Sequence, residues 1–201
     1  MAALFCGLVN RPLSFRVLLR MAKKKSKKPS WIDIKKSIGN IEHSQLISLV
    51  KDLYELSKEN GTFLHARFSD RDSSLRQYKK VILHSLYQDV MDEEDDFEFE
   101  RANKAINDYA NATRDDEGIA DLMIYYVECG NKFTLDYGDI HEIFYDALID
   151  MYQKAIEKVR KMPKMKQESF QKRLRKIMES AHGIGWGYYD GLCDLYYQAF
   201  E

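Results

Sequence analysis

Apolar residues recur every three or four positions along most of the chain, which is the spacing of one face of an α-helix. Leu46, Leu49 and Leu53, for example, share one face of a predicted helix over 44–59. Only 10 of the 201 residues are glycine and 3 are proline, which disfavours a turn-dense β architecture. The fold class we predict is therefore all-α, a single irregular helical bundle or short helical array of seven or eight helices.

Capping residues, glycines and prolines divide this periodic region into separate helices. The predicted helices cover 44–59, a turn or two within 61–68, then 72–90, 97–113, 118–130, 140–161, 166–182 and 191–200. Asn60-Gly61 and Gly130 are predicted C-terminal stops. Asp139 and Glu142 match a capping box. Residues 131–138 alternate like a short strand, and 118–130 is apolar enough to be the central helix.

The formal net charge of −1 hides a segregated distribution. Residues 89–146 hold 18 acidic and 4 basic side chains, whereas 154–176 hold 10 basic and 2 acidic ones. Residues 1–30 contain eight basic side chains and no acidic one. Such segregation either pairs segments within the fold or prepares a face for a charged partner.

The first thirty residues differ from the rest of the chain, and we expect 1–30 to be a disordered basic extension before a helical domain over 31–201. Three interpretations of residues 1–20 stay open: an upstream start, with Met21 as the natural one, a transit peptide, or a functional arm. The upstream start is preferred. The lysine run Lys23–Lys28 suits a solubilising tail, or contact with nucleic acid or anionic lipid.

Several protein classes are disfavoured by what the sequence lacks. The cysteines Cys6, Cys129 and Cys193 are too far apart for a disulfide framework or a paired-cysteine zinc or redox site. No uncharged apolar run approaches the ~20 residues that span a bilayer, so no membrane span is predicted. The five carboxylates of Asp92–Asp96 suit a solvated loop better than a metal site. We assign no catalytic residue, no metal and no cofactor.

Three sequence blocks carry a resemblance to a known family. They are LVKDLYELSKENGTFLHARF (49–68), ADLMIYYVECGNKFTLDYGDI (120–140) with the following Phe144-Tyr145, and GIGWGYYDGLCDLYY (183–197). With these blocks the chain resembles a bacterial family catalogued only as a domain of unknown function. The resemblance implies a helical, cytoplasmic bacterial protein, and it implies no activity.

Two glycine-bearing turns carry the residues that suit a small ligand best. The candidate ligand-binding residues are Asp136, Tyr137, His141, His182, Trp186, Tyr188 and Asp190. Glycines allow close backbone approach, and Trp and Tyr offer stacking surfaces with a polar end. The preferred alternative is structural: Trp186 fills the core while Asp190 and Asp139 cap helices. A combined site requires the turns at 136–142 and 182–190 to meet.

Basic residues on the later helices form a second candidate surface. This basic face consists of Lys158, Arg160, Lys161, Lys172, Arg173, Arg175 and Lys176. It suits phosphate contacts or pairing with the acidic segment, and few aromatic residues for base stacking accompany it.

The function we predict is a non-enzymatic protein-interaction or scaffold module of a bacterial cytoplasm, with a protein partner or a second copy of itself. It would present an acidic face from 89–121 and a basic face from 158–176. One alternative is a small-ligand-binding protein or enzyme centred on 182–190 and 136–142. The other is a nucleic-acid-associated protein that uses the basic face.

Overall fold

The computed structural model describes residues 28–87 and 97–201, and within these ranges every regular element is an α-helix. The helices are α1 (Trp31–Ile38), α2 (His43–Leu56), α3 (Lys58–Phe68), α4 (Arg71–Leu86), α5 (Phe99–Thr113), α6 (Asp116–Tyr137), α7 (Glu142–Arg160), α8 (Lys164–Ser180) and α9 (Tyr188–Phe200). The all-α prediction is confirmed, with nine helices in the described ranges rather than seven or eight. The predicted basic extension up to residue 27 and the predicted loop at 92–96 lie outside those ranges.

The described residues up to Val50 belong to one compact unit, and those from Lys51 belong to a second. The first unit contains α1 and the start of α2, and no residue of either helix is buried. Ser30 and Asp33 form a capping box at the start of α1, with the Asp33 carboxylate accepting a hydrogen bond of 3.0 Å from the Ser30 backbone N–H. Helix α1 was not predicted, although this Ser-x-x-Asp pattern signals a helix start.

In the second unit α6 is the central helix, and it packs against α4, α5, α7 and α8. Helix α9 packs on α7 and α8, while α3 packs on α5 and α4. The core is rich in large aromatic side chains, and several of them are completely buried: Tyr109, Tyr126, Phe144, Tyr145, Tyr152 and Tyr188. Among the described residues no helix is both long and apolar enough to cross a membrane.

The predicted stop at Gly130 is wrong, because α6 continues through it to Tyr137. Gly130 instead allows α6 and α7 to approach closely: a Cβ atom at this position would lie 2.4 Å from Cδ2 of Leu148. Residues 131–138 are therefore helical up to Tyr137 and form no strand. The glycine is needed here for its small size and not for a left-handed backbone.

The predicted stop at Asn60-Gly61 is also wrong, because both residues lie in the first turn of α3. Ser57 begins that helix, and its hydroxyl accepts a hydrogen bond of 3.2 Å from the Asn60 backbone N–H. The Asn60 amide donates to the Leu53 carbonyl at 2.8 Å, near the end of α2. Asn60 thus joins two consecutive helices. Helix α4, predicted to begin at 72, is capped by Asp70, whose carboxylate accepts a hydrogen bond from the Ser73 backbone N–H.

Much of the segregated charge is paired across the fold, between α8 or the end of α7 and the acidic helix α6. Arg173 forms two hydrogen bonds of 2.8 Å with the Glu128 carboxylate, and a further short one with Asp121. Lys79 of α4 lies 2.7 Å from the same Asp121. Burial alone would raise the pKa of Asp121, but hydrogen bonds from Lys79 and Arg173 outweigh it and lower that pKa. Lys158 reaches Asp116 at 2.5 Å.

We predict that Gly130→Ala is destabilising and Gly61→Ala is not. At position 130 the new methyl group overlaps the fully buried Leu148, and such overpacking costs about 1–3 kcal/mol, more than the ~1 kcal/mol of helix propensity gained. At position 61 the methyl group meets only ordinary contacts of 3.5–3.8 Å with Tyr54, so the propensity gain should remain. Urea unfolding of both variants tests this, and equal shifts in the two midpoints would contradict it.

We predict that Arg173→Met lowers the free energy of unfolding by roughly 2–3 kcal/mol, somewhat less than breaking a fully buried pair, since Arg173 is partly exposed. Arg175→Met, on the same helix, removes an exposed pair with Glu179 and should cost under about 1 kcal/mol.

The loss of unfolding free energy caused by Arg173→Met should depend on pH. Because the folded-state pKa of Asp121 is lowered, its contribution is present above the ordinary value of 3.8 and is lost as the pH falls through the lowered pKa. The difference between wild type and Arg173→Met should therefore shrink below that pH in chemical unfolding. A difference that stays constant with pH would contradict the assignment to Asp121.

Candidate functional site

The two glycine-bearing turns meet in the structure. The indole Nε1 of Trp186, between α8 and α9, donates a hydrogen bond of 3.0 Å to Oδ2 of Asp139, between α6 and α7. The residues are 47 positions apart in the sequence. The turns at 136–142 and 182–190 thus form one candidate site.

Asp139 is the centre of this contact and not a helix cap. Its second oxygen accepts a hydrogen bond of 2.7 Å from the Tyr145 hydroxyl, which also lies 2.8 Å from the Thr134 hydroxyl and accepts from the Ile140 backbone N–H. Burial raises the pKa of Tyr145, and the hydrogen bond to Asp139 adds to this, so the hydroxyl keeps its proton.

The predicted Asp139–Glu142 capping box is therefore wrong. The N-cap of α7 is His141, whose Nδ1 accepts a hydrogen bond of 3.3 Å from the Phe144 backbone N–H. Tyr145 and Trp186 instead donate hydrogen bonds to the Asp139 carboxylate, which was predicted to cap the helix. This capping of α7 by His141 was not predicted from the sequence.

Trp186 does not fill the core, as the preferred structural interpretation required, because 53% of the residue is exposed. Its backbone φ is +58°, in the left-handed region that bulky residues rarely adopt. Gly183 and Gly187 on either side also have positive φ, of 88° and 68°. The hydrogen bond to Asp139 holds this strained turn and leaves much of the indole ring accessible to solvent.

Tyr188 and Asp190 occupy different environments. Tyr188 is completely buried, and its ring centroid lies 5.2 Å from that of Tyr145. Burial raises the pKa of the Tyr188 hydroxyl, which has no hydrogen-bond partner among the described residues. Asp190 is exposed in the first turn of α9, which follows Gly187 without a side-chain cap, so the predicted cap by Asp190 is wrong. Exposed His182 packs edge-on against Tyr189, with ring centroids 5.1 Å apart.

Asp136 belongs to a second polar cluster at the end of α6. Its carboxylate accepts hydrogen bonds from Lys132 at 2.5 Å and from the Tyr87 hydroxyl at 2.6 Å. The hydrogen bonds from Lys132 and Tyr87 lower the pKa of Asp136. Tyr137 packs beside Tyr87, with ring centroids 5.8 Å apart.

Three residues that hold these clusters together were not predicted from the sequence, namely Tyr87, Lys132 and Thr134. Lys132 was detectable, since it lies one helical turn before Asp136. The contribution of Tyr87, 49 positions from Asp136, was not.

The chemistry of this region favours holding helices together over reaction. Asp136 and Asp139 each accept two hydrogen bonds from protein side chains. Burial raises the pKa of Cys129 to about 12, which disfavours the nucleophilic thiolate form at neutral pH. In the parts of the chain that the structure describes, no group of three or more His, Cys, Asp or Glu residues has the arrangement of a metal site. The small-ligand assignment stays a prediction.

The basic face is interrupted by ion pairs beyond those of Lys158 and Arg173. Lys172 pairs with Glu168 at 2.7 Å and Arg175 with Glu179 at 3.0 Å, both within α8. Three of its members form no ion pair with a described residue, and these are Arg160, Lys161 and Lys176. Carboxylates thus neutralise several of the cations that a phosphate backbone would need.

We predict that Tyr145→Phe destabilises the protein and Tyr188→Phe does not, although both tyrosines are buried. Tyr145→Phe removes a hydrogen bond to Asp139 and leaves Thr134 unpaired, so it should cost about 1–3 kcal/mol. Tyr188→Phe removes a buried hydroxyl without a described partner and should be neutral or stabilising. Guanidinium unfolding measures both, and destabilisation by Tyr188→Phe equal to that by Tyr145→Phe would contradict the assignment.

Comparison with known proteins identifies the family of this chain. A family model described as a family of unknown function, DUF6155, matches residues 29–198. No curated protein and no solved structure matches the chain. Because the match covers most of the chain, including both candidate turns, the chain belongs to the DUF6155 family of unknown function.

Proposed function

We propose that this protein is a non-enzymatic protein-interaction module and that α2 is its docking element. The observation that carries the proposal is that α2 has one apolar side, yet none of its 14 residues is buried. At 100° per residue, the side chains of Leu46, Leu49, Val50 and Leu53 share that side. Their exposed fractions are 36–44%. We call these four residues, together with Leu56 at 75% exposure, the leucine stripe.

A helix of this length draws most of its stability from packing its apolar side, since isolated helices shorter than ~12–15 residues are marginal in water. The opposite side of α2 is polar, and its side chains form contacts within the helix. Ser48 donates to the Ser44 carbonyl at 3.2 Å, and Lys51 is paired with Glu55 at 3.7 Å. Contiguous exposed apolar side chains beside a polar surface are typical of protein-interaction sites.

The leucine stripe adjoins the side of α2 that contacts α3. That contact uses Tyr54, whose hydroxyl lies 3.1 Å from Nε2 of His65 and whose ring lies next to Gly61. At helical spacing Tyr54 lies about 100° around the helix from Leu53 and about 40° from Val50, so Val50 borders the contact with α3 and Leu53 lies away from it. The two helices can therefore stay joined while the stripe contacts a partner.

The alternative functions have less support. A nucleic-acid role would use cations of which Lys158 and Arg173 already pair with carboxylates. A ligand site would use Asp136 and Asp139, whose oxygens already accept hydrogen bonds from the protein.

Part of the proposal is a cytoplasmic location, which is supported by the free, buried thiol of Cys129.

Position-specific photo-crosslinking in living cells tests the proposal. A photoreactive benzophenone side chain at position 49, on the leucine stripe, should crosslink this chain to a protein. The same group at position 48, on the polar side, is the matched control and should yield little product. Leu46→Glu combined with Leu53→Glu should abolish crosslinking from position 49, while Ser44→Glu with Ser48→Glu should preserve it. Equal products from positions 48 and 49, or none from 49, would overturn the proposal.

A further inference from the structure

A groove lies between α3, α4 and α5, all within the second unit. It encloses about 530 Å³, and its apolar lining includes Phe63, Tyr78, Val81 and Ala105. Cavities of roughly 300–1,000 Å³ are the usual size of binding pockets. The groove is therefore large enough to accept several side chains of another molecule.

Two features of the groove point to a binding surface. Phe63 is 42% exposed at its edge, so part of this apolar side chain is left in water. Tyr78 is almost completely buried, and its hydroxyl has no hydrogen-bond partner in the part of the chain that the structure describes. An apolar surface laid into the groove would cover the exposed part of Phe63 and pack beside the ring of Tyr78.

We propose that this groove binds the leucine stripe of α2 from a second copy of the chain, in a two-fold symmetric dimer. The inference rests on the proposed function, in which α2 is the docking element. One chain carries both an amphipathic helix with no buried residue and an apolar groove beside three packed helices. Insertion of an amphipathic helix into an apolar groove is a recurring mode of protein recognition.

Two-fold symmetry makes the second copy the natural occupant. Each subunit supplies one helix and one groove, so the same contact forms twice and the assembly closes at two subunits. Both surfaces that lack a partner are then covered without a third component.

Charge is compatible with this arrangement. The edge of the groove carries Lys104, which is paired with Asp108, and Lys58, which forms no ion pair with a described residue. On α2 the acidic Asp52 flanks the leucine stripe at helical spacing and likewise has no ion pair among the described residues. Opposite charges at the rim of an interface favour the correct partner and orientation.

Sedimentation velocity of the full-length chain over a range of concentrations tests the dimer. The wild type should be dimeric. Leu53→Glu on the stripe and Phe63→Glu in the groove should each weaken dimerisation about tenfold or more. Phe68→Glu is the matched control, since Phe68 lies on the same α3 helix, is 80% exposed and does not line the groove, and this variant should remain dimeric. Far-UV circular dichroism establishes that each variant is folded.

Mixing the two defective variants separates this dimer from other arrangements. In a mixture of Leu53→Glu and Phe63→Glu chains, the intact helix of the second variant meets the intact groove of the first. A heterodimer should therefore form at concentrations where each variant alone is monomeric.

A monomeric wild type, or no heterodimer in the mixture, would overturn the proposal. If Leu53→Glu dissociates the dimer and Phe63→Glu does not, the stripe binds elsewhere: the proposed function stands and the groove assignment fails. If crosslinking from position 49 is absent, the proposed function of α2 fails together with the groove assignment.

Discussion

The close approach of α6 and α7 at Gly130 is the contact on which the rest of the second unit depends. Gly130 has only a hydrogen atom where a Cβ would meet Leu148, so α6 and α7 pack closely there. Helix α6 continues through this glycine to Tyr137. Its last turns then carry Thr134 and Asp136 on a helix, where they reach Tyr145 and Tyr87. A helix that ended at Gly130 would not hold these side chains in place.

Charge pairing provides a second layer of organisation around this central helix. The acidic side chains of α6 contact cations from three other helices: Lys79 of α4, Lys158 of α7 and Arg173 of α8. Burial favours the neutral form of Asp121, but hydrogen bonds from Lys79 and Arg173 outweigh this effect, so the carboxylate remains ionised in a partly buried position. Of the ten cations at 154–176, Lys158, Lys166 and Arg173 thus join helices by pairing with α6, which leaves fewer cations for an external partner.

The surfaces that remain uncovered indicate function more clearly than the polar clusters do. Asp136, Asp139 and Tyr145 are engaged with other parts of the same chain. By contrast, the leucine stripe and the groove at Phe63 expose apolar area that a single chain leaves in water. Apolar burial is the main favourable term in protein association, so these two surfaces carry the proposals of a binding module and a two-fold dimer.

The sequence by itself determined the helical fold class and most helix positions, because apolar periodicity and capping are local properties of neighbouring residues. It also identified Asp139 and Trp186 as unusual residues, but assigned their roles incorrectly. Whether Gly130 ends a helix or admits Leu148, and whether Asp139 caps a helix or binds Trp186, depends on residues many positions away. Only the tertiary structure decided these roles, because long-range packing selects among local options that are close in free energy.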